Sequence, residues 1–342
     1  MSLYILEKGA IAPLVEALMA DYRVVGPKAK GPKFAFDTIT DPAEMRLDYN
    51  TTILPPKKVF QPQHERLATF NLQGDPEASS FVEAEPTVLF GIHTCDLKAI
   101  SLLDEAFSAD YPDAHYLSRR ENTLLVSIEC LEPCDEYAFC KDMGTLTPES
   151  KNFDLHLTEM ESGYLVEVGS EAGQELLATY AQASAAKDQE GRLDQIRSDK
   201  QQQFKNRLNF DAAELPEMLA GAFEHPVWED MGDRCFACGS CTNVCPTCYC
   251  FNVEDEVNMV LTEGERVRSW DSCQLDEFAS VAGGENFREA RSARQRHRLM
   301  RKGKYLYEKF DELGCVGCGR CIRTCTAKIS IVESFNAIHN GK

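Results

Sequence analysis

Cys235-Phe236-Ala237-Cys238-Gly239-Ser240-Cys241-Thr242-Asn243-Val244-Cys245-Pro246 is the stretch from which the rest of the chain is read. It returns as Cys315-Val316-Gly317-Cys318-Gly319-Arg320-Cys321-Ile322-Arg323-Thr324-Cys325. In each copy three cysteines stand two residues apart and a fourth follows after three more, the spacing of bacterial ferredoxins. Three thiolates so spaced wrap a tight loop around one cubane. The fourth points away and, in two-cluster ferredoxins, ligates the other cluster. The expected ligand sets are Cys235, Cys238, Cys241 and Cys325 for one [4Fe–4S] cluster, and Cys245, Cys315, Cys318 and Cys321 for a second. Gly239, Gly317 and Gly319 lie inside the loops, where a missing side chain permits positive φ and close approach of backbone to sulfide. Zinc and disulfides are the competing readings, but zinc sites show paired rather than tripled CxxC spacing.

At 342 residues the chain is long enough for about two domains. Its fifteen cysteines come without an export signal, which argues for a reducing cytoplasm and for metal binding rather than a disulfide framework. Met1-Ser2-Leu3-Tyr4-Ile5-Leu6-Glu7 has neither a basic start nor a cleavable apolar stretch, so no signal peptide is expected. No apolar run approaches the roughly 20 residues that span a bilayer, so no transmembrane segment is expected. A P-loop, an HExxH and a GxGxxG are all missing, which places any NAD(P) on another polypeptide. The net charge of −19 argues against nucleic acid as a partner. Within that acidic chain, residues 287–310 carry nine Lys or Arg against two acids, Glu289 and Glu308. Such a strip, His297 included, is either a solvated helix face or a positive surface set against cluster charge or an acidic partner.

The first two-thirds reads as α/β. Ile11, Leu14, Val15, Leu18 and Met19 recur at helical spacing. Thr87 to Ile92 (TVLFGI) and Thr123 to Glu129 (TLLVSIE) are short apolar runs suited to buried strands, and Leu97, Ile100, Leu103 and Phe107 between them predict a helix. Tyr164 to Val168 is a further strand. Residues 26–63, rich in Pro, Gly and Lys, are expected to be irregular, and residues 181–209 to form an exposed helix or a linker. The expected units are an α/β domain over 1–225 and a cysteine-rich module over 226–342. The 69 residues between the motifs, Pro246 to Gly314, are helical in pattern, above all Phe287 to Leu313. They predict an α-helical ferredoxin-like module rather than a compact β-containing one.

Seven cysteines remain. Cys95 and Cys130 follow the two apolar runs directly, at the carboxyl ends of strands. Parallel neighbouring strands would bring their loops to one crevice. With Cys134 and Cys140 they form a candidate third [4Fe–4S] site. Buried free thiols and zinc stay open as alternatives, and Asp96 is a weaker hard ligand. Cys248, Cys250 and Cys273 are expected to lie in the core or beside the clusters, since eight ligands are already assigned.

The chain resembles the β subunit of cytoplasmic sulfhydrogenases, the NADP-linked NiFe hydrogenases, and the corresponding iron–sulfur component of anaerobic sulfite reductase. The likeness runs through Leu54-Pro55-Pro56-Lys57-Lys58, Cys95-Asp96-Leu97-Lys98-Ala99-Ile100, Arg119-Arg120-Glu121-Asn122 and Gly144-Thr145. It continues in Cys245-Pro246-Thr247-Cys248, Trp270-Asp271-Ser272-Cys273 and the Cys315–Cys321 loop. Thr326 departs from it, standing where the family has proline, and leaves the turn after Cys325 less restrained.

The resemblance implies an iron–sulfur electron-transfer subunit of a cytoplasmic oxidoreductase. Such a subunit stands between a flavoprotein that binds FAD and NAD(P) and a hydrogenase, sulfite reductase or heterodisulfide-reductase-like partner. The competing reading is a subunit that itself reduces sulfur or polysulfide at the Cys95/Cys130 region.

Overall fold

The computed structural model describes all residues except 1–2, 74–76, 150–151, 182–183, 186–188, 206 and 342. The first two residues of the Met1–Glu7 segment and parts of 181–209 therefore lie outside the described residues. The chain opens with β1 (Leu3–Glu7), α1 (Ile11–Leu18), β2 (Arg23–Lys30) and β3 (Lys33–Thr38). β4 (His64–Asn71), β5 (Glu77–Ser80), β6 (Thr87–His93), α2 (Thr94–Ser108), α3 (Ala114–Glu121) and β7 (Thr123–Ile128) follow. β8 (Leu155–Glu159), β9 (Gly163–Val168), α4 (Glu171–Tyr180), β10 (Ser184–Ala185) and α5 (Glu190–Gln201) complete the first region.

Ten strands of this region divide between two sheets. The larger has the order β10-β1-β9-β8-β7-β6-β2-β3. Its centre is parallel, with β2, β6, β7 and β8 side by side, and its flanks are antiparallel. Every residue of β6 is buried, which explains its unbroken apolar run. Leu14, Val15 and Leu18 of α1 and Leu103 of α2 close the same core as Leu89, Phe90 and Val126. At Gly91, with φ +78°, the pairing of β6 with β7 slips by one residue, a bulge that turns the chain toward His93 and Cys95.

The second region holds α6 (Leu215–Ala220), α7 (Val227–Arg234), α8 (Ser240–Asn243), β11 (Phe251–Val257), β12 (Glu263–Trp270) and α9 (Arg291–Met300). One π-helical turn, Arg301–Tyr305, leads into α10 (Leu306–Phe310), and α11 (Arg320–Thr324) and α12 (Ile331–His339) end the chain. Leu215, Leu219, Trp228, Met231, Leu299, Met300 and Phe335 form its apolar core.

The structure departs from the sequence reading in three places. β2 and β3 form a hairpin that runs into the segment expected to be irregular: Val24 and Val25 just ahead of it and Phe36 within it are buried and anchor the two strands. The spacer between the cysteine motifs opens with the β11–β12 hairpin before it turns helical. That hairpin also crosses the expected boundary at residue 225. β12 pairs antiparallel with β4, and the second sheet runs β11-β12-β4-β5. Buried Arg268 of β12 bonds Glu65 of β4 and Asp113 before α3, so charge as well as backbone joins the two regions. Among the described residues, no helix is long and apolar enough to cross a membrane.

Candidate functional site

The two motif loops have nearly the same backbone. Ala237 and Gly317 stand at equivalent positions with φ of +53° and +70°, and Gly239 and Gly319 follow with +72° and +71°. Each loop then enters a short helix, α8 or α11, capped by that second glycine. The left-handed residues reverse the chain between successive cysteines, which lets neighbouring thiols face one centre.

Cys245, Cys315, Cys318 and Cys321 line one small, mostly apolar cavity, together with Cys241, Arg298 and Lys302. That is the second expected set, brought together by the fold. In the first set, Cys235 and Cys325 pack in one apolar cluster, Cys241 lies in the electrostatic field of Cys235, and Cys238 is the exposed member. The turn after Cys325, where Thr326 replaces proline, is closed by its own backbone. Lys328 donates to the Cys325 carbonyl (3.0 Å) and Ile329 to its Sγ (3.4 Å).

Residues 287–310 are not wholly a solvated face. α9 and the π turn run between the loops and bury Arg294, Gln295, Arg298 and Lys302 on one side. Gln295 Nε2 donates to Cys235 Sγ (2.9 Å), Arg291 to the Cys235 carbonyl (2.7 Å), and Lys302 Nζ to Thr247 Oγ1 (2.6 Å). Burial alone would lower the Lys302 amine; thiolates at Cys245, Cys248 and Cys315 outweigh it and push it up. Arg298 behaves likewise between Cys241 and Cys321, one cysteine from each expected set. The Cys245 thiol falls well below its ordinary range through contact with Cys248, helped against burial by Lys302, whereas burial lifts Cys241 and Cys315 to about 12. Metal binding would keep such buried thiols deprotonated.

Upstream, β6 and β7 are parallel neighbours, so Cys95 and Cys130 do reach one crevice. Cys95 contacts Cys140 through sulfur, and Cys134 lies in the field of both Cys130 and Cys95. All four expected cysteines are thus together. Burial raises the Cys130 thiol to about 12, and Thr94 Oγ1 lies 3.9 Å from its sulfur.

This upstream group touches the second motif directly. Cys95, Ala99, Ala138 and Cys140 share an apolar cluster with Val316 and Cys318. Phe139 donates its amide to the Gly317 carbonyl (2.8 Å), and Thr145 Oγ1 bonds the Val316 carbonyl (2.7 Å). A Cβ on Gly317 would stand 2.6 Å from the Cys140 nitrogen, and one on Gly319 2.7 Å from the Tyr137 carbonyl. Only glycine allows the two backbones to come this close.

Asp96, weighed as a ligand, serves otherwise. Its two oxygens take Nη1 (2.6 Å) and Nη2 (2.7 Å) of Arg320, and both residues are buried. Arg320 also reaches the Thr52 carbonyl and hydroxyl. Glu129, just before Cys130, is buried with His156, Arg197 and Lys200 around it. α5, expected to be exposed or a linker, is tied down by those last two cations. Arg298, Lys302, Arg320 and Lys57, whose ammonium bonds the Cys248 carbonyl and stacks on Trp270, were not singled out from the sequence. The signals available were the charge run at 287–310 for Arg298 and Lys302, and the resemblance motifs that contain Lys57 and Arg320.

Among the described residues, no three His, Cys, Asp or Glu side chains close around one point as a single ion requires. A tetrahedral zinc site demands that spacing, whereas a cubane holds its four thiolates at the corners of a larger figure. The thiol-only donor sets, the glycine-bearing loops and the adjacent cations fit [4Fe–4S] groups.

Residues 234–329 match the family model described as a 4Fe-4S dicluster domain. No solved structure matches the chain. The β subunit of sulfhydrogenase 2 from Pyrococcus furiosus is 37% identical over 324 residues, which cover 93% of each chain. A likeness of that strength over almost the whole length of both proteins makes this chain a member of the sulfhydrogenase β-subunit family.

Proposed function

We propose that the chain is the relay subunit of a cytoplasmic multi-subunit oxidoreductase. It would carry electrons between a flavoprotein with FAD and NAD(P) and a hydrogenase, sulfite reductase or heterodisulfide-reductase-like subunit. Three [4Fe–4S] groups would lie in line. Cys95, Cys130, Cys134 and Cys140 hold the first, Cys245, Cys315, Cys318 and Cys321 the middle one, and Cys235, Cys238, Cys241 and Cys325 the last. When bound, these groups supply one-electron chemistry at potentials set by burial, charge and hydrogen bonds to sulfur.

The observation that carries this reading is the seam between the Cys315–Cys321 loop and Tyr137–Cys140. It leaves no side chain between the two backbones at Gly317 and Gly319. The chain's own residues do the rest. Gln295 holds a sulfur of the last set, Arg298 offsets charge between the last and middle sets, and Lys302 does so at the middle one. The part of the module that meets the cysteines, α7, α8, α9 and α11, is α-helical, and on this reading 1–225 and 226–342 are two units stitched by the second sheet.

Iron and acid-labile sulfide per chain test the count: about twelve irons supports three clusters and about eight only two. Cys318→Ala is expected to lose the middle cluster and all partner-to-partner electron flow, while each partner keeps dye-linked activity. Loss of dye-linked activity in the isolated partners would overturn the relay role.

A second reading has one observation in its favour. A cleft lined by Tyr49, His93, Glu129, Cys130 and Cys134 opens to solvent beside the upstream thiols. Reduction of sulfur or polysulfide there predicts turnover by the isolated chain given only a chemical reductant.

A further inference from the structure

Cys248, Cys250 and Cys273 belong to none of the three sets. Cys248 contacts Cys245 and so sits beside the middle site. Cys250 and Cys273 form a separate pair at the base of the β11–β12 hairpin. Phe251 and Trp270 are the last register partners of that hairpin, and Asp271 donates its amide to the Cys250 carbonyl (3.0 Å) just beyond them. This brings the chain on either side together, and the two sulfurs meet in side-chain contact. Gln274 Nε2 donates to Cys273 Sγ (3.5 Å) and fixes its orientation.

The pair is asymmetric in access. Cys273 is 3% exposed, whereas Cys250 is only part-buried. It is asymmetric in charge as well. Contact with Cys273 and the nearby cations Arg301 and Lys302 outweigh burial and bring the Cys250 thiol down to about 6, while Cys273 is pushed up by the same contact and by burial. A reachable, readily ionised thiol beside a buried one is the arrangement in which the first attacks and the second resolves.

We propose that Cys250 and Cys273 form a redox-active dithiol that exchanges with small-molecule disulfides. Cys250 thiolate attacks one sulfur of the disulfide RSSR, giving Cys250–S–S–R and RS⁻, which takes up a proton as RSH. Cys273, its proton passing to solvent, then attacks the Cys250 sulfur and expels the second RS⁻, protonated in turn. Overall, two protein thiols are oxidised to one disulfide and RSSR is reduced to two RSH. The step uses no cluster, so it stands or falls apart from the relay.

The test uses the full chain with its iron, kept anaerobic and equilibrated with graded ratios of oxidised to reduced glutathione. Acid quenching, denaturing alkylation and peptide mass analysis follow. The expected result is that Cys250 and Cys273 leave the alkylated pool together, as a crosslinked peptide lighter by two hydrogens, at unchanged iron content. Cys273→Ser should trap Cys250 as its mixed disulfide with glutathione, and Cys250→Ser should leave Cys273 alkylated at every ratio. Full alkylation of both at all ratios with iron retained would overturn the proposal. So would loss of iron in Cys250→Ser, which would make Cys250 a ligand. Iron content and dye-linked electron flow are read separately, so either result leaves the relay reading to its own test.

Discussion

The loop at Cys235–Cys245 and the loop at Cys315–Cys325 share their spacing and their left-handed turns, yet they face different surroundings. The first presents Phe236, 69% exposed, and an exposed Cys238. The second is enclosed: Val316, Cys318 and Arg320 are buried, and its glycines lie against the backbone of Tyr137–Cys140. Where the first loop has Ala237, the second has Gly317 at nearly the same φ, so backbone conformation alone does not call for glycine there. Contact does. The same spacing gives the two loops the same backbone, and packing decides whether a loop faces solvent or another part of the same chain.

The sharpest way to break this contrast is to remove the charge pair that holds the enclosed loop. Asp96→Ala leaves the Arg320 guanidinium buried without its carboxylate, at a cost of about 3–5 kcal/mol. The melting temperature should fall accordingly, and Asp96→Leu combined with Arg320→Met should recover most of it. Gly317→Ala comes next. Its new Cβ, 2.6 Å from the Cys140 nitrogen, forces the seam apart and costs about 1–3 kcal/mol, read by chemical denaturation. Ala237→Gly at the equivalent site changes stability by less than about 1 kcal/mol.

Acid should separate the regions too. Burial opposes ionisation of Glu129, but its bonds to His156 and the charges of Lys200 and Arg197 lower it from 4.5 to about 2. The folded chain therefore binds fewer protons there than the unfolded one. The stability contributed is complete above about pH 4.5 and is lost as pH falls toward 2. Hydrogen exchange should show residues 129–134 and 197–200 loosening in that window ahead of 235–241. The smallest effect on stability is at the open loop. Phe236→Ser should stay within about 0.5 kcal/mol of the parent while slowing electron exchange with its redox partner.

That Cys245, Cys315, Cys318 and Cys321 line one cavity was legible because cysteine spacing is a local signal of narrow chemistry. β6 and β7 were legible because full burial demands unbroken apolar runs. The convergence of Cys95 and Cys130 followed from strand ends alone. β11 was not read from the sequence: Phe251, Val253 and Val257 do alternate, but Asp255 breaks the period and all seven residues are exposed, so no buried face marks the strand. Nor was the pairing of β12 with β4, since Val267 and Arg66 are register partners held together only by the finished fold. Arg320 read as a loop residue. Its role depends on Asp96, and no spacing rule connects positions so far apart.

That pair also sets an order of events during synthesis. Tyr137–Cys140 leave the ribosome long before Gly317 and Arg320 exist to cover them. Until residues 316–320 emerge, the Cys95 group lacks one wall and Asp96 lacks its counter-charge. If the upstream group is the cluster site proposed above, iron delivered before residues 315–321 emerge would meet it half-built, whereas iron delivered afterwards would find it enclosed. Maturation of that proposed site is therefore tied to the synthesis of residues 315–321, and a message truncated before residue 315 is expected to leave the upstream thiols open to oxidation.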